Sequence, residues 1–202
     1  MSLSRTLREA LDQGRLRSPI LLAGDSLDGD EGDLGPWPAA VLVAVVDRPE
    51  PSVILTLRPA TMRRHAGQIS FPGGRIDPGD AGPVEAALRE AEEEIGLAPE
   101  RVEIVGIADR YRTITGFDVT PVVGVVPPDV ELRPHPGEVE ALFEAPLRYL
   151  LEPAHQRVRS VGWRGRERTY YEIDYEGRRI WGATAAMIVN LGRRLALEHE
   201  AR

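Results

Sequence analysis

Apolar residues along the chain fall into distinct helical and extended patterns. Leu3, Leu7, Ala10 and Leu11 recur at helical spacing, and Gly14 follows as a stop. Residues 24–38 are mostly Gly, Asp and Pro and read as a loop. Residues 39–47 and 51–57 are apolar, β-branched runs separated by Arg48-Pro49-Glu50, which predicts a hairpin. Residues 58–82 hold Arg, Gly, Pro and Asp in a stretch too long for a neutral connector, and so predict a functional loop. Residues 83–95 form the clearest helix, with Pro83 suited to its first position and Gly96 to the residue after its end. Strand-like runs follow at 102–108, 119–126, 158–163 and 168–175, a short strand and a helix start share 138–150, and a second good helix covers 182–197. Strands on either side of helices, mostly in hairpin order, predict mixed α+β layering.

The helix over 83–95 carries the candidate chemistry. At about 100° per residue, Glu90, Glu93 and Glu94 fall within roughly a third of its circumference. Leu88, Ala91 and Ile95 make an adjoining apolar stripe for the core, and Ala86 and Ala87 on the glutamate side leave that side open to close approach. Carboxylates at this spacing repel one another, and the C-terminal half of a helix disfavours anions. Two readings follow: a solvated acidic face, or a site for a hard divalent cation such as Mg²⁺ or Mn²⁺, which takes carboxylate oxygens together with substrate phosphates. Upstream, Ser70-Phe71-Pro72-Gly73-Gly74-Arg75 sets two glycines where a backbone can approach a ligand without a Cβ, and Asp77-Pro78-Gly79-Asp80 turns into the helix. Together they favour a phosphate-and-metal platform.

Composition narrows the rest. The 202 residues carry a net charge of −7, all 25 basic side chains are Arg, and there is no Cys. Lysine chemistry, thiolate nucleophiles, disulfides and cysteine metal sites are therefore excluded. The acidic balance argues against a nucleic-acid partner. The longest apolar run, 39–46, is too short to span a membrane, and the N-terminus is amphipathic instead of signal-like, so a cytoplasmic location is expected.

Gly74, five residues, Asp80, eight residues and then Arg89-Glu90-Ala91-x-Glu93-Glu94-x-Gly96-Leu97 resembles the Nudix box. Asp80 stands where the usual box has Glu, and the segment before Arg89 is one residue longer; both features resemble the coenzyme A pyrophosphatase branch of the Nudix family. Residues 55–58, residues 63–74 (Arg-Arg-His-Ala-Gly-Gln-Ile-Ser-Phe-Pro-Gly-Gly) and residues 180–185 (Ile-Trp-Gly-Ala-Thr-Ala) are similar to that branch as well.

The resemblance implies a Nudix α/β/α sandwich around a mixed sheet, with residues 36–202 as its single globular unit and residues 1–35 as an N-terminal helix and loop. It implies a pyrophosphate hydrolase using Mg²⁺ or Mn²⁺ and water, acting on a small molecule: coenzyme A, its acyl esters or its oxidised form, giving 3′,5′-ADP and 4′-phosphopantetheine. The alternatives are another nucleoside diphosphate derivative (ADP-ribose, a dinucleotide or a nucleoside triphosphate) and a non-catalytic nucleotide-binding domain. Glu90, Glu93 and Glu94, with the Gly73 carbonyl, are the implied metal ligands. Glu90, Glu94 and Glu138 are the candidate catalytic carboxylates, with Glu138 favoured over Glu90 as general base. Arg58, Arg63, Arg64 and Gly74 are candidate contacts to substrate phosphate, since a guanidinium forks onto phosphate oxygens. Asp77 and Asp80 are expected to cap or turn, Arg89 to orient the box, and His65 to hydrogen-bond structurally. Monomer and homodimer both remain open.

Overall fold

The computed structural model describes residues 2–14, 37–61, 65–113, 115–163 and 166–195. Helix α1 spans Leu3–Gly14, followed by strands β1 (Trp37–Val46) and β2 (Ser52–Leu57). Two short strands, β3 (Ile69–Ser70) and β4 (Gly73–Arg75), precede helix α2 (Pro83–Ile95). Then come β5 (Glu103–Ile107), β6 (Tyr111–Arg112), β7 (Phe117–Val126), β8 (Ala141–Pro146) and α3 (Leu147–Leu151). The described chain ends with β9 (Arg157–Trp163), β10 (Arg166–Tyr175), β11 (Arg178–Trp181) and α4 (Ala183–Leu195). The predicted hairpin is present, with Val45 opposite Val53. The loop expected at 24–38 ends in strand at Trp37 and Pro38, and its residues 24–36 lie outside the described residues. Residues 58–82 are not pure loop, because β3 and β4 lie within them.

The larger sheet is mixed. β1 runs parallel to β7 over its whole length, while β2, β4, β5, β6 and β8 all join antiparallel. β1 shows why the sheet is a middle layer. Its even residues Ala40, Leu42, Ala44 and Val46 pack with Ala86, Ala87, Ala91 and Ile95 of α2. Its odd residues Ala39, Val43 and Val45 join the cluster that holds Leu7 and Leu11 of α1 and Ala185, Ile188 and Leu191 of α4. Alternate side chains point to opposite faces, so a strand covered on both sides reads as an unbroken apolar run, as residues 39–46 do. The result is an α/β/α sandwich, with a second sheet ordered β11-β10-β9 beside α4. No helix among the described residues is long and apolar enough to cross a membrane.

α2 has the boundaries the sequence predicts. Pro83 opens it, and Gly96 closes it in the left-handed conformation at φ 66°, its N–H donating to the Glu92 carbonyl and that of Leu97 to the Ala91 carbonyl. The buried stripe differs from the expected one. Ala86 and Ala87 are fully buried against β1 and β7 and leave no open surface, while Leu88 is only half-buried. Small side chains bring this helix close to the sheet, and that closeness carries Glu94 inward.

Candidate active site

Gly73 and Gly74 lie on β4, paired with Val41 and Ala40 of β1. Gly73 is required by the backbone beside it, and Gly74 makes room for a side chain. A Cβ on Gly73 would lie 2.4 Å from the Ala40 carbonyl oxygen, and one on Gly74 2.4 Å from a Glu90 carboxylate oxygen. The space expected for a ligand is thus filled, at Gly74, by the carboxylate that would serve it.

A pocket of about 320 Å³ opens beside this strand. On one side stand Arg58, Gly73, Gly74, Glu90, Glu94 and Glu138. Six of the predicted site residues therefore converge across 80 positions of sequence. Glu93 does not join them: its carboxylate is exposed and accepts from the Arg89 Nη1 at 3.1 Å. Arg63 and Arg64 lie outside the described residues.

Glu94 is the most unusual group. It is only 3% exposed, and its Oε2 accepts the Gly73 N–H at 3.2 Å. Burial pushes its carboxyl up to about 7, and the negative charges of Glu90 and Glu138 push the same way, against the Gly73 N–H and Arg58. Glu90 is also held above the ordinary carboxylate range, first by burial, with Arg89 opposing and Glu93 and Glu138 reinforcing. The Arg58 Nη1 lies 3.7 Å from Glu94, while its Nε is buried with no hydrogen-bond partner. Arg58 itself lines the pocket, and a guanidinium there suits an anionic ligand.

Arg89 organises the box. Its Nε and Nη2 grip both oxygens of Asp80 at 3.0 Å, its Nη1 donates to Glu90 and Glu93, and its Nη2 reaches the Arg75 carbonyl. The guanidinium holds the Asp80 carboxyl below its usual range. Asp80 also accepts the Asp77 N–H at 2.8 Å, closing the turn before the helix, so it is engaged as a structural group. Glu138 is nearly half exposed, with His135 4.0 Å away.

Among the described residues no three carboxylates or imidazoles form a ready cage for a metal ion. The donor chemistry nevertheless fits a hard divalent cation: two half-buried or buried carboxylates, raised chiefly by burial, face one pocket beside a strand backbone. A cation there would relieve the repulsion that burial makes costly.

Sequence reasoning missed the other half of the pocket. Gln68 and His65 line it, joined by a 3.0 Å hydrogen bond between Oε1 and Nδ1, and His65 adopts a positive φ of 57°. Thr184 lines it too, donating to the Ile69 carbonyl at 3.0 Å, with Ala183 and Met187 beside it. The sequence signals for these were the similarities of residues 63–74 and 180–185 to the coenzyme A branch.

The NUDIX domain family model matches residues 36–163. The chain is 45% identical over 160 residues to the uncharacterized Nudix hydrolase NudL of Cronobacter sakazakii, covering 79% of this chain and 81% of that one. It is 43% identical over 160 residues to NudL of Escherichia coli K12, with the same coverage of each. Among solved structures, a Nudix hydrolase from M. smegmatis, RenU, superposes with a TM-score of 0.50 at 22% identity, covering 62% of this chain and 80% of that one. This last likeness concerns the fold.

Proposed function

The chain belongs to the Nudix hydrolase family, enzymes of phosphorus-containing anhydrides, and from that premise we propose that its substrate is coenzyme A, free, acylated or oxidised. The observation that carries the reading is the convergence of Glu90, Glu94 and Glu138 with Arg58 in one pocket. Arg58 belongs to the stretch that, with residues 63–74 and 180–185, resembles the coenzyme A branch, and residues of all three line that pocket.

In this reading Glu90, Glu93, Glu94 and the Gly73 carbonyl would hold Mg²⁺ or Mn²⁺, which would supply charge neutralisation of the pyrophosphate oxygens and acidify water. Glu93, now held by Arg89, would have to exchange that contact to join the set. Arg89 keeps Glu90 and the Asp80 turn in register, so it is a positioning residue. Arg58 turns its guanidinium to phosphate oxygens, and Gly74 leaves the room in which the Glu90 carboxylate sits. Glu138, the most solvent-facing carboxylate of the pocket, takes the proton of the attacking water. The water oxygen bonds to phosphorus, the bridging P–O bond of the anhydride breaks, and 3′,5′-ADP and 4′-phosphopantetheine leave.

The test is product analysis with Mg²⁺ or Mn²⁺ across neutral to alkaline pH, on coenzyme A, ADP-ribose, a dinucleotide and a nucleoside triphosphate. Release of 3′,5′-ADP with the highest kcat/KM on coenzyme A is expected. No release, or a higher kcat/KM on another member of the panel, overturns the assignment.

A further inference from the structure

Part of the pocket takes no part in the chemistry derived above. Ala39 and Val41 of β1, Phe117 and Val119 of β7, and Ala183 and Met187 of α4 form an apolar wall. The strand residues share one face, because parallel pairing sets Ala39 beside Val119 and alternate side chains point the same way. Val41 pairs with Gly73, whose N–H holds the Glu94 carboxylate. The wall therefore begins one strand spacing, about 5 Å, from the backbone on which that carboxylate is docked. It is firmly held, since Ala39, Val119 and Met187 are each less than a tenth exposed. No side chain in it offers a hydrogen bond, and the Thr184 hydroxyl beside it already donates to Ile69.

A diphosphate has a group on each flank, and the one that lies toward this wall meets apolar side chains. A ribose would bring hydroxyls against a wall that cannot bond them, which is costly. A compact branched alkyl group gains by burial there. Coenzyme A differs from ADP-ribose and from dinucleoside diphosphates at this point: one of its phosphates is followed by an oxygen, a methylene and a dimethyl-substituted carbon. Resting on the coenzyme A reading, we propose that this wall is the subsite for the dimethyl carbon of the pantoyl group, with Met187 setting its depth. Selection for the phosphopantetheine side is then made by exclusion of hydroxyls as well as by apolar contact.

The test is Met187→Gln, which keeps the length of the side chain and adds an amide, with Met187→Leu as the conservative control. Affinities for 4′-phosphopantetheine and for 3′,5′-ADP are measured by calorimetry, beside kcat/KM on coenzyme A and ADP-ribose. Met187→Gln is expected to weaken 4′-phosphopantetheine and lower kcat/KM on coenzyme A by about tenfold or more, leave 3′,5′-ADP within about twofold, and raise kcat/KM on ADP-ribose severalfold, with Met187→Leu returning each toward the parent value. If Met187→Gln fails to fold, Val119→Thr reads the same wall. Equal weakening of both ligands, no weakening of either, or no binding of 4′-phosphopantetheine by the unaltered protein overturns the subsite. Turnover of coenzyme A without this discrimination sinks the subsite and leaves the substrate assignment standing. Discriminating binding without turnover of coenzyme A does the reverse.

Discussion

Glu94 combines two properties that separate when it is changed. Its folded-state carboxyl sits near 7 against an ordinary 4.5, so the folded protein binds that proton more tightly than the unfolded chain does. The stability this contributes is complete below about 4.5 and is lost as pH rises through 7. In chelator, Glu94→Gln is expected to melt above the parent at pH 8, by an amount equivalent to at most about 3 kcal/mol, and level with it near pH 5. With Mg²⁺ or Mn²⁺ present its activity falls by orders of magnitude, and full activity would remove Glu94 from the ligand set. Gly74 separates the same properties by geometry. The added methyl of Gly74→Ala meets only the movable end of Glu90, so melting shifts little while turnover drops about a hundredfold through the displaced carboxylate. Gly73→Ala instead meets the backbone of Ala40 and Val41, at a φ of 152°, and is expected to lower the melting temperature markedly.

Among the elements, α2 depends on how it stops. Gly96 is left-handed, and its N–H with that of Leu97 closes the last turn on Glu92 and Ala91. Gly96→Ala should cost about 1 kcal/mol in denaturant unfolding, the ordinary penalty for a Cβ in that conformation. A second junction ties α4 to α1 and to the segment after β5. Arg194 is 7% exposed; it grips both Asp109 oxygens at 2.5 Å and donates to the Gly14 carbonyl at the end of α1. Asp109→Ala strips a buried guanidinium of its carboxylate, and a loss of about 3 kcal/mol is expected on the same measurement. Periodicity located these elements because amphipathic spacing is local. It left out β4 and β11, whose few residues are strand only because β1 and β10 lie alongside them.

Taken as a whole, the molecule joins its N-terminal helix to its last one. Leu7 and Leu11 belong to the same buried cluster as Ala185, Ile188 and Leu191, although the family match starts at residue 36. We therefore expect residues 3–14 to unfold together with the sandwich. Removing residues 2–14 should lower the melting temperature by several degrees within a single transition, and an unchanged transition would make α1 an appendage. The charge balance also bears on the whole chain. With a net charge of −7 and no lysine, local attraction of a polyanion rests on guanidinium groups and on whatever cation the carboxylates hold.

The sequence by itself determined the span and caps of α2, the hairpin of β1 and β2, the clustering of Glu90 and Glu94 on one helix face, and the Nudix resemblance. Each of these is written in spacings of a few residues. Which carboxylate is buried depends on long-range packing. Ala86, Ala87 and Ala91 draw α2 onto the sheet, and the cost of removing Glu94 from water falls on whichever side chain that approach covers. That packing decided, too, that Glu93 turns out to Arg89, and that Glu138 stands with Glu90. The apolar wall is its product altogether. Val119 and Met187 meet because a parallel strand pair and a closing helix return the chain to one place, and no local pattern encodes that return.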